Sequence, residues 1–100
     1  MRTEKSLRGN LHTGFIVKTR NGELFAVVRT GNYYKVLTNY DRHMNIGQYQ
    51  SNLLAKPEFL SSDMDIMEIY GLIRSSVNPY EALRVSTRNR PLLWKRREEI

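Results

Sequence analysis

The sequence predicts a small, mainly β domain, and three stretches carry that prediction. Two β-rich runs flank Asn21-Gly22, a further run follows Gly31-Asn32, and Leu92, Leu93 and Trp94 form an apolar triplet near the C-terminus. One hundred residues suffice for one hydrophobic core and not for two, so a single domain is expected. With 40% hydrophobic and 26% charged residues, the composition is that of a globular chain rather than a disordered one.

The first element is the hairpin GFIVKTRNGELFAVVRT, residues 14 to 30. Asn-Gly supplies positive φ at both centres of a type I′ turn, and a two-residue loop pairs Thr19 with Leu24, Val17 with Ala26 and Phe15 with Val28. On that register one face collects Phe15, Val17, Thr19, Leu24, Ala26 and Val28, and the other Ile16, Lys18, Arg20, Glu23, Phe25 and Val27. The second face is partly apolar, so something should cover it. NYYKVLTNY reads as a third strand, with Tyr34 and Val36 alternating against Tyr33 and Lys35, which makes a meander. Residues 41 to 62 contain Gly47, Asn52 and Pro57 and keep no clean period, predicting a long connection with at most short regular pieces.

DMDIMEIYGLI, residues 63 to 73, fits two states. A helix would take Ser62 as its cap and place Ile66, Ile69, Tyr70 and Ile73 on one face, while a short Ile- and Tyr-rich strand fits equally. In NPYEALRVS, Asn78 as cap, Pro79 at the first helical position and Glu81 in the first turn predict one short helix over 78 to 86. PLLWKRR then returns as a final strand, with Leu92 and Trp94 on one face and Leu93 on the other. The expected organisation is a basic N-terminal arm over 1–12, a globular domain over 13–97 and a tail over 98–100.

Three of these pieces in order, RNG within the hairpin, DMDIMEIY, and LWKR, carry a resemblance. The chain resembles small proteins encoded in phages and mobile elements of Gram-positive bacteria, which share a hairpin around Arg-Asn-Gly, an Asp-x-Asp-Ile-x-x-Ile-Tyr segment and a Leu-Trp-x-Arg end. The resemblance implies a strongly bent antiparallel sheet or SH3-like barrel in which residues 64 to 70 are a strand. The extended basic N-terminus and the long 41 to 62 connection depart from that pattern, and an open sheet capped by a helix is the alternative.

Charge narrows the function classes. The net charge is +6, which favours anionic partners such as nucleic acid or an acidic protein surface. Its placement is uneven: Arg74, Arg84, Arg88, Arg90, Lys95, Arg96 and Arg97 stand against Glu81 alone, whereas 38 to 73 is acidic. These seven residues, with Tyr33 as an aromatic for stacking, are the candidate contacts for nucleic acid or a protein partner. The same stretch also reads as a closing strand with basic residues emerging at its ends. A host defence nuclease complex, inhibited in the anti-CRISPR manner, is a rival partner suggested by setting and size.

Other classes have little support. No apolar run reaches the length of a membrane span and MRTEKSLRGN has no apolar stretch behind it, so a cytoplasmic protein with no membrane partner is expected. Zero cysteines exclude disulfides, thiolate metal sites and cysteine nucleophiles. No Gly-rich phosphate loop, nucleophile elbow or zinc spacing occurs, and no cofactor or metal is expected. A hydrolase built on Asp41 and His43, or a cation held by Asp63 and Asp65, lacks the companions that such chemistry needs. A non-enzymatic binding protein is the expectation. Exposed sheet edges allow a dimer, but oligomeric state is not readable.

Overall fold

The computed structural model describes residues 7–29, 35–39, 42–71 and 90–97. Within them the fold is one six-stranded antiparallel sheet: β1 (Ile16–Thr19), β2 (Leu24–Arg29), β3 (Lys35–Thr38), β4 (His43–Asn45), β5 (Ile66–Tyr70) and β6 (Leu92–Lys95). Their spatial order is β4-β3-β2-β1-β5-β6, so the sheet has two edges and is not closed. The mainly β class and the meander of β1 to β3 are as expected. The helix expected over 78 to 86 lies outside the described residues.

The β1–β2 hairpin forms one residue out of the expected register. Ile16 faces Ala26, Val17 faces Phe25 and Lys18 faces Leu24. Phe25, Ala26, Val27 and Val28 are apolar at successive positions, so either alternate set of β2 can be buried and the hydrophobic pattern does not choose. The loop chooses instead. Gly22 lies at φ 91°, while Leu53 is the only non-glycine among the described residues with positive φ, so Asn21 is not in the left-handed region and the turn is not type I′. Gly22 N–H donates to Thr19 O and Thr19 N–H to Glu23 O, both at 2.9 Å, which closes a three-residue loop with glycine at its left-handed position. The Asn21 side-chain oxygen accepts the Glu23 N–H at 3.1 Å. Outside contacts hold this geometry: Arg20 N–H reaches Asp65 O at 2.8 Å and Asn21 N–H reaches Asp63 O at 3.0 Å.

This register places Val17, Phe25 and Val27 on the principal core face, joined by Leu37, Met44, Tyr49, Leu53, Ile66 and Ile69. Ile16 and Ala26 are buried on the opposite face, with Leu24 and Tyr70 beside them. The expectation that both faces are covered therefore holds, although the residues of β2 have exchanged sides. Leu11 is fully buried in the principal core, and Arg8 Nη1 donates to Tyr49 O at 2.7 Å. Leu11 and Arg8 thus tie part of the segment expected as an arm to the principal core.

The long connection holds only short regular pieces, as expected. Its first part, β4, pairs with β3, setting Met44 opposite Leu37 and adding a fourth strand to the meander. Asn45 then caps a 3-10 helix over Ile46–Gln48 in a reciprocal capping box with Gln48. Next, Tyr49 bridges Ala55 around a loop whose Gln50 N–H donates to Leu54 O and whose Leu53 N–H donates to Gln50 O, each at 2.9 Å. This is the Thr19–Glu23 loop again, except that Leu53, at φ 69°, occupies the left-handed position that Gly22 holds there. A branched side chain is costly in that conformation, and complete burial of Leu53 in the core offsets the strain.

The ambiguous 63 to 73 segment, described as far as Gly71, contains a 3-10 turn, Ser62–Met64, followed by strand β5. Two irregularities flank β5. Between β1 and β5 the register shifts after Lys18, so that Thr19 faces Ile66 and Met67 is the extra residue. Between β5 and β6, Ile69 faces Trp94 and Tyr70 faces Leu92, leaving Leu93 as the extra residue. Opposed residues share a face, so Leu92 lies with Tyr70 on the second side while Trp94 packs on the principal core. The expected grouping of Leu92 with Trp94 is thus corrected: the bulge at Leu93 breaks the alternation on which it rested. Gly71 permits the close approach of β6, because a Cβ there would lie 3.0 Å from Pro91 Cγ and 3.3 Å from Leu93 Cδ1.

Candidate functional site

The residues around β6 form the most distinctive surface of the described chain. Leu92 and Leu93 are 51% and 52% exposed on an edge strand, and Lys95 and Arg97 beside them are exposed. Lys95 faces Glu68 across β5, and Glu68 faces Lys18 on β1, so opposite charges alternate over three strands. Tyr70 donates its hydroxyl proton to Glu68. Arg97 has no acidic residue opposite it in these strand pairings.

The other candidates divide sharply. Arg90 is only 5% exposed, and its Nη1 donates to Gly71 O at 2.7 Å and Gly14 O at 3.1 Å. Burial lowers its pKa from the ordinary arginine value. Its expected place on the contact surface is corrected: the guanidinium faces inward because it supplies donors to two backbone carbonyls. Arg96 is half-buried; its Nε donates to Ile66 O at 3.1 Å, its Nη2 to Asn52 O at 2.7 Å, and its guanidinium lies 4.9 Å from the centre of the Trp94 ring. That arrangement ties β6 to the 50 to 55 loop and leaves little of the side chain for a phosphate. Arg74, Arg84, Arg88 and Tyr33 lie outside the described residues.

Among the described residues, groups suited to catalysis are not assembled. Asp41 lies outside the described residues, and His43, exposed on β4, makes a short contact through Nδ1 with the Thr38 hydroxyl. Asp63 is exposed, whereas Asp65 is buried, its Oδ1 accepting Ala55 N–H at 2.8 Å and its Oδ2 accepting from Arg20 Nη2 at 3.0 Å. Among the described residues no three His, Asp or Glu side chains are grouped to hold a metal ion. Nor does any described helix have the length and apolarity to cross a membrane. An open cleft of about 310 Å³ runs between Gln50, Leu54, Pro57, Leu60, Ser61 and Ser62, with Asp65 in its wall. No histidine lines it to activate the serines, and Asp65 already serves the fold.

Against known proteins, the chain matches no family model, no curated sequence and no solved structure. The β6 surface therefore has to be read from its own chemistry. What the sequence reading lacked was the exposure of Leu92 and Leu93. The available signal was the run of cations after an apolar triplet, a pattern that guards an exposed sheet edge as readily as it binds phosphate.

Tyr49 is fully buried and donates its hydroxyl to Met64 O at 2.7 Å. Burial pushes its pKa well above the ordinary value of 10.0, with the Asp65 charge adding to the effect. The folded state thus favours the neutral phenol. Stability from this group is intact below pH 10.0 and falls as the pH rises past it, where the unfolded chain ionises and the folded chain does not. In an alkaline titration the Tyr49 phenolate should appear only with loss of the β-sheet circular dichroism signal, and Tyr49→Phe should flatten the alkaline decline. Ionisation of Tyr49 with the sheet intact would contradict this.

Proposed function

We propose that this chain is a non-enzymatic binding protein that engages an anionic partner through the basic surface at β6. One observation carries the reading: Leu92 and Leu93 are about half exposed on a sheet edge and are followed by the exposed cations Lys95 and Arg97. Apolar surface on a strand edge invites association, and the adjacent positive charge selects the sign of the partner. The resemblance supports a phage or mobile-element setting, with the open sheet as a spread form of an SH3-like barrel. In that setting the partner is nucleic acid or a protein that handles it.

The test is a gel-shift titration with single- and double-stranded oligonucleotides at low and at physiological salt. Binding through Lys95 and Arg97 weakens steeply with salt and is reduced in a Lys95→Glu/Arg97→Glu variant of unchanged melting temperature. Absence of a shift at low salt removes nucleic acid as the partner. A second reading, an inhibitor that docks on a protein of a host defence complex, draws support from Arg90 and Arg96. Both hydrogen-bond to backbone carbonyls, which leaves a contact surface with fewer cations and more leucine than a phosphate grip needs.

A further inference from the structure

The partner's structure, and not only its charge, is written into β6. We infer that β6 accepts an added β-strand: an extended acidic segment of a partner protein, hydrogen-bonded along the outer edge of Leu92–Lys95. This deepens the binding reading above and rests on it.

The backbone supplies the first argument. Pro91 O accepts Gly71 N–H, and Arg96 N–H donates to Met67 O, both at 2.8 Å, so residues 91 and 96 turn their backbone groups toward β5. Strand alternation, with the extra residue at Leu93 absorbed by the bulge, turns the N–H and C=O of Leu92 and Lys95 away from β5. Among the described residues no strand lies on that side, β6 being the last in the sheet order. Two residues with outward backbone groups make a short but directional template for strand addition.

The side chains give the second argument. Leu92, opposite Tyr70, and the bulged Leu93 next to it are each about half exposed, so an incoming strand finds apolar contacts at two adjacent positions of the edge. Lys95 and Arg97 continue the edge with exposed positive charge, and Arg97 lacks an acidic residue across the described strands. The complement is an extended segment with alternating apolar residues and Asp or Glu toward one end. A second copy of the chain is a poorer match, since two molecules of net charge +6 would bring like charges to the same edge. An oligonucleotide satisfies the cations and leaves the leucines and the strand donors unused.

Selection from a displayed library of random twelve-residue peptides tests this on the full chain. The enriched sequences should share an alternating apolar run with Asp or Glu on one flank. The synthetic form of the leading peptide should lose at least about tenfold in affinity when N-methylated at alternate residues, because two backbone hydrogen bonds are removed while every side chain stays. Amide hydrogen exchange should slow at Leu92 and Lys95 on binding. Equal affinity of the N-methylated peptide, or exchange protection elsewhere, overturns strand addition. If oligonucleotides bind in a Lys95- and Arg97-dependent manner and no peptide is enriched, strand addition fails and the anionic-partner reading stands. If neither binds, both fail. If the chain alone dimerises with Leu92 and Lys95 protected, the occupant is a second copy and the inference is wrong.

Discussion

Asp65→Ala is expected to destabilise the fold by about 3 kcal/mol, lowering the melting temperature of a chain this size by on the order of 10–20 °C. Asp65 stands where three segments cross. Its Oδ1 holds the Ala55 N–H, its Oδ2 holds Arg20, and its own carbonyl accepts the Arg20 N–H of the hairpin loop. The alanine variant keeps the last contact and loses the first two, leaving the buried Ala55 amide without its acceptor beside the open cleft. The two losses are not equal. The Arg20 side chain is about one-third exposed, so its guanidinium can return to water, and Arg20→Ala should cost much less. Thermal melts of Asp65→Ala, Arg20→Ala and the double variant separate the terms, with most of the effect in the Ala55 amide. A melting temperature for Asp65→Ala no lower than that of Arg20→Ala would show that the buried amide bond matters little.

The second large effect separates stability from binding within one basic stretch. Arg90→Met should cost roughly 2–4 kcal/mol, since it keeps side-chain length but takes the donor from the Gly71 and Gly14 carbonyls. Arg90→Lys should rescue little, because both bonds come from Nη1 and the lysine ammonium ends one bond short of that position. Arg97→Ala should leave the melting curve unchanged and weaken binding to the anionic partner. Denaturant unfolding and binding measured on both variants check the pair. If Arg90→Met melts with the wild type, or Arg97→Ala unfolds the protein, the division between inward and outward cations is wrong.

Much of the architecture is legible in the sequence, and the reasons for the rest are specific. The Asn-Gly hairpin, the third strand, the β character of Ile66–Tyr70 given the resemblance, and the closing LLWK strand all follow from composition and turn residues. Register does not. FAVV is apolar on both sides, and the three-residue loop is stabilised by Asp63 and Asp65, more than forty positions away. Alternation also fails at Met67 and Leu93, because an extra residue in a strand leaves no mark on the pattern around it. Within the site, Lys95 and Arg97 were identifiable as surface cations. The inward turn of Arg90 was not, since it depends on carbonyls of Gly14 and Gly71 that only the folded backbone brings together.

The route by which Arg90 reaches Gly14 has a kinetic consequence. Their hydrogen bond joins positions 76 residues apart, and Arg96 spans a further 44 to Asn52. The central pairing of β1 with β5 is likewise non-local, whereas β1 to β4 follow one another along the chain. Closing long loops costs entropy before the contacts repay it, so the four-strand meander is the natural early structure and β5 and β6 dock onto it late. A chain organised in this way folds on the slow side for its length, with the barrier set by the arrival of β5 beside β1 rather than by the hairpin.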